Sequence, residues 1–462
     1  MKRQDRYTML TTGSVPKVIT TLAVPTIISM LVTSFYSIAD TFFVGQIDTQ
    51  STAAVGVVLS VMFIIQAVGF FFGHGSGNYI SRELGAKNRE AASRMAATGF
   101  VYSILFSTLL AVVGLLFLEP ISLALGSTPT VLPYTKRYLS IILFGAPFFA
   151  GQLTLNNQMR LQGNASYAMV GVVSGAVLNV LLDPLFIFVF DMGVSGAALA
   201  TVVAQIIAFT IKWIQTHRGG NLLIHLNEFT PSWIFFKEII GGGVPSLTRQ
   251  ALVSISTILL NYAAGVWGGD AGIAGMSIVN RMSFFINSVL IGYGQGFQPL
   301  CGFSYGAKLY ARVREGFWFC VKVGTGFLFI VAVFGLIYAE EVVALFRDDP
   351  EVIRVGAAAF RWQLLTYPLG AVVMYSNMMM QTIRKPIRAS VLSAARQGIF
   401  FIPAILIMPR LFGMEGVEAT QAVADLLSFL LAIPLCGSVL KELKSSDRKE
   451  LTPTDHMSCA HN

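Results

Sequence analysis

Gly85-Ala86-Lys87 recurs as Gly306-Ala307-Lys308, and this echo decides how the chain is read. The two copies stand 221 residues apart, and the same spacing links Pro129 to Pro350, Pro147 to Pro368 and Asn156 to Asn377. With a slip of one residue, Pro25 matches Pro245, Gly193 matches Gly413 and Gly196 matches Gly416. A constant offset across so many landmarks implies two copies of one structural unit. Both copies are predominantly apolar, and duplicated units in a membrane are the usual build of a secondary transporter.

Composition supports lipid as the solvent. Of 462 residues, 54% are hydrophobic and only 12% charged, with a mean hydropathy of +0.67. Soluble domains carry roughly 25% charge, and two of them would show a polar linker about every 150 residues. Residues 1–14 are polar and basic, and the apolar stretch after them lacks a small-residue cleavage site, so it reads as a retained span and not a signal peptide. Four cysteines, at 301, 320, 436 and 459, have no metal-ligand spacing and read as reduced thiols.

Twelve apolar stretches of spanning length can be drawn. In the first half they run over 16–44, 53–79, 95–118, 135–159, 166–190 and 194–215; in the second, over 237–267, 272–304, 315–339, 356–382, 389–411 and 416–440. None alternates over about ten residues as a barrel strand would. The expected fold is therefore an all-α membrane protein of twelve transmembrane helices in two six-helix lobes related by pseudo-two-fold symmetry. The expected organisation is a first lobe over 1–216, a cytoplasmic linker over 217–236, a second lobe over 237–441 and a disordered tail over 442–462. His217 and His225 read as solvated linker residues.

Lysine and arginine set the orientation. Loops on the N-terminal side hold Lys2, Arg3, Arg6, Arg82, Lys87, Arg89, Arg94, Lys212 and Arg218, then Lys308, Arg312, Arg314, Arg384, Lys385, Arg388, Lys441, Lys444, Arg448 and Lys449. The opposite loops are acidic, with Asp48, Glu119, Asp191, Asp270, Glu340, Asp348 and Asp349. Both termini are expected in the cytoplasm, and the net charge of +8 needs no nucleic-acid partner.

Two acids lie inside spans. Thr33, Tyr36, Ser37 and Asp40 share one face of the first helix. An ionised carboxylate at the bilayer centre costs about 2.5–3.5 kcal/mol even on the lenient insertion scale, so this face must look into protein or a watery cavity. The competing reading is an acid that snorkels to the outer surface. Gly171, Gly175, Asn179 and Asp183 repeat every fourth residue along the fifth span; the glycines admit a neighbouring helix. Pro184 frees the carbonyl of Val180. Carboxylate, amide and carbonyl oxygens together suit a hard cation or a proton, against the competing reading of an aspartate that merely ends a helix. Thr201 with Gln205, and Gln152 with Asn156, are polar pairs that gain interest beside these acids.

The second lobe offers Gln250, Ser254, Thr257 and Asn261 on its first span and Tyr367, Met374, Asn377 and Gln381 on its fourth, without charge; Asp425 is its one candidate buried acid. Met378, Met379 and Met380, with Phe284, Phe285 and Tyr293, read either as soft surface for varied lipophilic ligands or as filler. Gly73-His74-Gly75-Ser76-Gly77 follows no strand, so it is not a phosphate loop, and His74 has no second ligand nearby.

With these residues in view, the chain resembles the multidrug and toxic compound extrusion (MATE) family. The resemblance rests on Leu22-Ala23-Val24-Pro25, Ala39-Asp40-Thr41, Gly45, Gly85-Ala86-Lys87, Leu178-Asn179, Leu182-Asp183-Pro184-Leu185-Phe186-Ile187-Phe188 and the stretch 193–200. It extends to Arg396-Gln397-Gly398-Ile399-Phe400 and Pro403, and covers residues 14–441. The likeness is nearer to the DinF-like and MepA-like bacterial branch, which keeps its acids in the first lobe. That resemblance implies a cation- or proton-binding site at Asp40, Asn179, Asp183 and Thr201, with Asn156 nearby; Na⁺, if it is the ion, would sit among the first four. The inward faces of the spans themselves offer Tyr36, Gln152, Gln205, Gln250, Asn261, Met374 and Asn377 as candidate substrate contacts. NorM-like relatives carry acids in the seventh and tenth spans; here the former position falls near Ser254 and the tenth span has none.

The reading is a secondary active multidrug exporter in a bacterial inner membrane, multi-pass and monomeric. It would exchange lipophilic and cationic organic compounds against Na⁺ or H⁺, with no other cofactor. A flippase of lipid-linked precursors is the alternative, and Arg249, Arg281 and Arg396 are expected near the cytoplasmic span ends, where they would not serve it. No enzyme is expected: an intramembrane aspartyl protease using Asp40 and Asp183 would need a Gly-x-Gly-Asp context that is missing.

Overall fold

The computed structural model describes residues 3–218 and 222–451. Lys2, residues 219–221 of the linker, Cys459 and the rest of the tail from residue 452 lie outside the described residues. Among those described, ten helical segments are long and apolar enough to cross a membrane. One of them, α9 (Trp233–Gly306), crosses twice, and the 33-residue α12 (Pro350–Thr382) makes the twelfth crossing.

The first lobe is built from α2 (Val15–Val44), α3 (Thr49–Gly85), α4 (Arg89–Leu116), α6 (Leu132–Leu161), α7 (Ala165–Pro184) and α8 (Gly193–Thr216). A short α1 (Arg3–Thr12) precedes it, and α5 (Leu118–Ala124) lies between α4 and α6. The second lobe uses the two limbs of α9, then α10 (Tyr310–Ile337), α12, the pair α13 (Pro386–Ala394) and α14 (Phe401–Phe412), and α15 (Met414–Leu451); α11 (Ala339–Ala344) is the short counterpart of α5. Each stretch drawn from hydropathy coincides with one crossing. The seventh and eighth are joined without a loop, and the chain turns between them at Gly269, whose φ of 58° and ψ of −151° only glycine adopts freely.

The duplication is visible in the backbone. Lys87 and Lys308 both take a left-handed φ, 60° and 61°, where α3 and α9 end. A Cβ on Gly85 would strike the backbone of Phe303, and one on Gly306 would strike the backbone of Arg82. The repeated Gly-Ala-Lys segments are thus the places where the lobes clasp each other. Both fifth spans relax into a π turn, Leu185–Val189 after Pro184 and Ala395–Ile399 after α13.

The lobes meet mainly through α2, α3 and α9. Gly292 and Gly296 let α9 lie against the backbone of Ile27 and Ala23, and Gly75 and Gly242 do the same between α3 and α9. Among the described residues, the hydrogen bonds that join the lobes include those of Arg82 with Thr382 and Glu238 and of Arg160 with Gln295 and Gln298, in the half that carries Gly85 and Gly306. The outermost join Ser34 to Ser288 at 3.4 Å and Gln250 to Gln66 at 3.5 Å. Just beyond them, toward the acidic loops, the rings of Phe35 and Phe285 meet edge-on at 6.0 Å.

Two expectations need correction. Residues 442–451 continue α15 as helix, tied down where Arg314 meets Asp447 at 2.7 Å and Arg388 meets Glu442 at 2.9 Å. Polar residues there looked like a free tail because their partners lie more than a hundred or some fifty positions back in the chain. Lys212 and Arg82, counted as loop cations, are both buried inside spans. In the linker, His217 and His225 are exposed, while Leu222 and Ile224 are buried among first-lobe side chains.

Candidate cation site and the cleft between the lobes

Asp183 is completely buried, and neither of its carboxylate oxygens has a hydrogen-bond partner. Four residues earlier, one turn along the same face of α7, Asn179 donates its amide to Thr201 Oγ1 of α8 at 3.3 Å. Its own amide oxygen is buried without a partner, as is Oδ1 of Asp40 on α2. Asp40, Asp183 and Tyr36 lie within electrostatic reach of one another. The cluster therefore gathers four buried oxygens that lack donors. Such oxygens cost free energy unless a proton, a cation or water meets them. The π turn at Leu185–Val189 directly follows Asp183-Pro184, a distortion that breaks regular helical bonding beside the site.

Sequence reasoning missed Tyr138 of α6. It is buried against the same cluster, within electrostatic reach of Asp40, Tyr36 and Asp183 and beside Thr201. A tyrosine in an aromatic-rich span gives no periodic signal, so only packing reveals it. Asn156 is half-buried with an unpartnered amide oxygen, and no hydrogen bond joins it to the other four residues.

The expected substrate residues scatter. Tyr36 belongs with the acids. Gln152 and Gln205 bond each other at 2.9 Å inside the first lobe, and the side-chain oxygen of Gln152 also accepts from the Lys212 ammonium. Asn377 is buried and spends its amide on Ala389 O at 2.6 Å and Ser393 Oγ at 2.8 Å, tying α12 to α13. Met374 packs against the second lobe's core, and Met378, Met379 and Met380 are buried within it. Gln250 and Asn261 remain half-buried on the first limb of α9, and Asn261 Oδ1 has no partner.

Asp425 is neutralised. Arg396 grips it with two nitrogens at 2.6 and 3.1 Å, and Gln421 adds a bond at 2.8 Å. The three arginines expected near cytoplasmic span ends are not there. Arg396 lies in the π turn of the eleventh crossing. Arg249 follows Glu238, the partner of Arg82 and Arg384 at the basic end, by about 16 Å of helix at ~1.5 Å per residue. Arg281 stands about as far from the other end of its limb at Asp270. The long continuous α9 carries both toward mid-membrane.

A family model, MatE, matches residues 25–185 and 245–407, one copy in each lobe. The chain belongs to the MatE family. Over 432 residues it is 26% identical to Multidrug export protein MepA of Staphylococcus aureus (strain MSSA476), a match covering 93% of this chain and 95% of that one. Among solved structures, an outward-facing multidrug resistance MATE family transporter of the MOP superfamily superposes with a TM-score of 0.89 at 24% identity, over 95% of this chain and 98% of that one. A MOP superfamily transporter from Pyrococcus furiosus gives a TM-score of 0.88 at 24% identity, over 95% and 98%. These structures support the twelve-helix, two-lobe fold of this MatE member.

Proposed function

We propose that this MatE protein is a secondary active exporter of lipophilic organic compounds, organic cations among them, working as a monomer in a bacterial inner membrane by exchange with Na⁺ or H⁺. The observation that carries the coupling half of this reading is the set of unpartnered oxygens on Asp40, Asn179 and Asp183. Asp40, Asn179, Asp183 and Thr201 would hold the ion, with Tyr138 and Tyr36 closing the site and Asn156 nearby. Ion uptake relieves buried negative charge, so occupancy favours whichever packing of α2, α7 and α8 buries the acids most. If cargo favours the opposite packing, each site empties the other and the ion gradient drives export. Tyr36, Gln152, Gln205, Gln250, Asn261, Met374 and Asn377 would contact cargo; the half-burial of Gln250 and Asn261 and the unpartnered Oδ1 of Asn261 support that role for these two.

The test is efflux of a fluorescent lipophilic cation from proteoliposomes with a Na⁺ or a proton gradient imposed separately. One of the two gradients is expected to drive efflux well above empty vesicles. Failure of both would sink the reading. The rival, flipping of lipid-linked precursors, gains from Arg249 and Arg281 at mid-membrane, since phosphates need such cations.

The first lobe is proposed to span 1–216 and the second 237–441, joined by 217–236, with both termini cytoplasmic. Single cysteines placed in 45–52 or 340–352 should react with an impermeant thiol reagent added outside intact cells, and those in 82–94 should not. Strong labelling of 82–94 would invert the topology.

A further inference from the structure

Among the described residues, the most voluminous fully buried side chain is a charged one, Arg160 at the end of α6. Its guanidinium crosses from the first lobe to the second. One terminal nitrogen donates to Gln295 O and Gln298 Oε1, both at 2.9 Å. The other donates to Asn157 Oδ1 at 2.9 Å and meets His74 Nε2 at 3.2 Å, while Nε has no partner. A guanidinium can only donate, so His74 Nε2 accepts and the ring proton sits on Nδ1, facing Ser246 Oγ of α9 at 3.2 Å. Every acceptor of Arg160 is therefore neutral.

Arg249 lies three residues beyond Ser246, on the side of α9 that faces α3, and its neighbour Gln250 reaches Gln66 of α3. It is half-buried, and among the described residues no carboxylate pairs with it. Within its electrostatic reach lie the Arg160 guanidinium and the neutral ring of His74. Further toward the acidic loops, Arg281 is exposed and stands one turn before Phe285, whose ring meets Phe35 of the first lobe edge-on at 6.0 Å. Arg281 thus shares the side of its limb that faces the first lobe and has no ion pair among the described residues. Asp425 is paired with Arg396, and Asp40 and Asp183 lie together in the first lobe.

A half-buried guanidinium such as that of Arg249, without counter-charge, is costly. A diffusible anion can supply the missing charge, and a guanidinium matches the two oxygens of a carboxylate or phosphate in a forked pair. The apolar rings of Phe35 and Phe285 lie one helical turn from Arg281. We infer that the interface between the lobes carries an anion subsite with Arg249 as its receiving group and Arg281 nearer the acidic loops, so that amphiphiles bearing a carboxylate or phosphate head, zwitterions included, are preferred cargo over the organic cations. This rests on the export reading and narrows its cargo. Binding, however, is measured without a gradient, so the two can fail separately.

The experiment is equilibrium dialysis of the purified full-length protein in neutral-detergent micelles, with labelled 1-naphthoate and the size-matched 1-naphthyl-trimethylammonium as probes. The carboxylate should bind about tenfold more tightly than the cation. Arg249→Gln should abolish that preference, and Arg249→Lys, which keeps a point charge, should retain most of it. Lysophosphatidylglycerol added in competition separates the sources. Displacement of naphthoate assigns the subsite to a lipid phosphate as well as to soluble carboxylates; no displacement assigns it to soluble carboxylates alone. A wild type that prefers the cation, or an Arg249→Gln protein with an unchanged preference for the anion, would overturn the inference. Loss of gradient-driven efflux for every probe, with the dialysis preference intact, would instead count against the export reading.

Discussion

Asp183→Asn is expected to reduce ion-driven efflux to the level of empty vesicles while leaving the protein folded. Asp183 is fully buried with two unpartnered oxygens, so its charge has no structural partner to lose. The amide has the same shape and adds two donors, which can serve the orphan oxygens of Asp40 and Asn179 close by. Removing an uncompensated buried charge is neutral or stabilising, in contrast to breaking a pair. The mutant should therefore melt at the wild-type temperature or above it. Asp40→Asn should behave alike, because Asp40 contributes the other acid of the cluster. Efflux of the fluorescent probe and thermal melting in detergent, taken together, separate coupling from folding. A mutant that melts early and transports poorly would show a structural role instead.

Arg396→Met is expected to give the largest loss of stability. Asp425 is almost entirely buried, its side chain 2% exposed, and Arg396 supplies two of its three hydrogen bonds. Taking away one partner of a buried pair costs about 3–5 kcal/mol, because the remaining charge is stranded. Asp425→Asn should cost less: the Arg396 side chain is 25% exposed and can turn its charge toward water. Because this pair is self-neutralising, Asp425→Asn should leave ion coupling intact. Thermal melting of both variants, with efflux measured on the more stable one, checks the claim. Equal melting of Arg396→Met and wild type would mean that Asp425 is not held as an ion.

Much of this was legible in the chain. The Gly-Ala-Lys repeat announced the pseudo-symmetry, and it marks the two glycines that clasp across the lobes. Hydropathy located each crossing because a span must hide its backbone in helix and present apolar side chains to lipid. The acids stood out because charge in a span is rare. Residues whose meaning depends on a partner far off in sequence were not legible. Lys212 looked like a loop cation until α6 placed Gln152 over it and Gly171 made room for its methylenes. Arg160 fell one residue past the fourth predicted span, yet it reaches across the molecule to α9. Asn377 looked available for ligand, but its amide is committed to α13.

The central claim is that Asp40 and Asp183 exchange the coupling ion against cargo. The most direct measurement is cargo-driven ion movement in proteoliposomes that start with no ion gradient. Adding cargo on one side should move Na⁺ or protons in the opposite sense in the wild type, read by an ion-sensitive dye trapped inside. With Asp40→Asn or Asp183→Asn the ion signal should vanish, while equilibrium dialysis still shows cargo bound. Undiminished ion movement in either variant at matched protein levels would contradict the account.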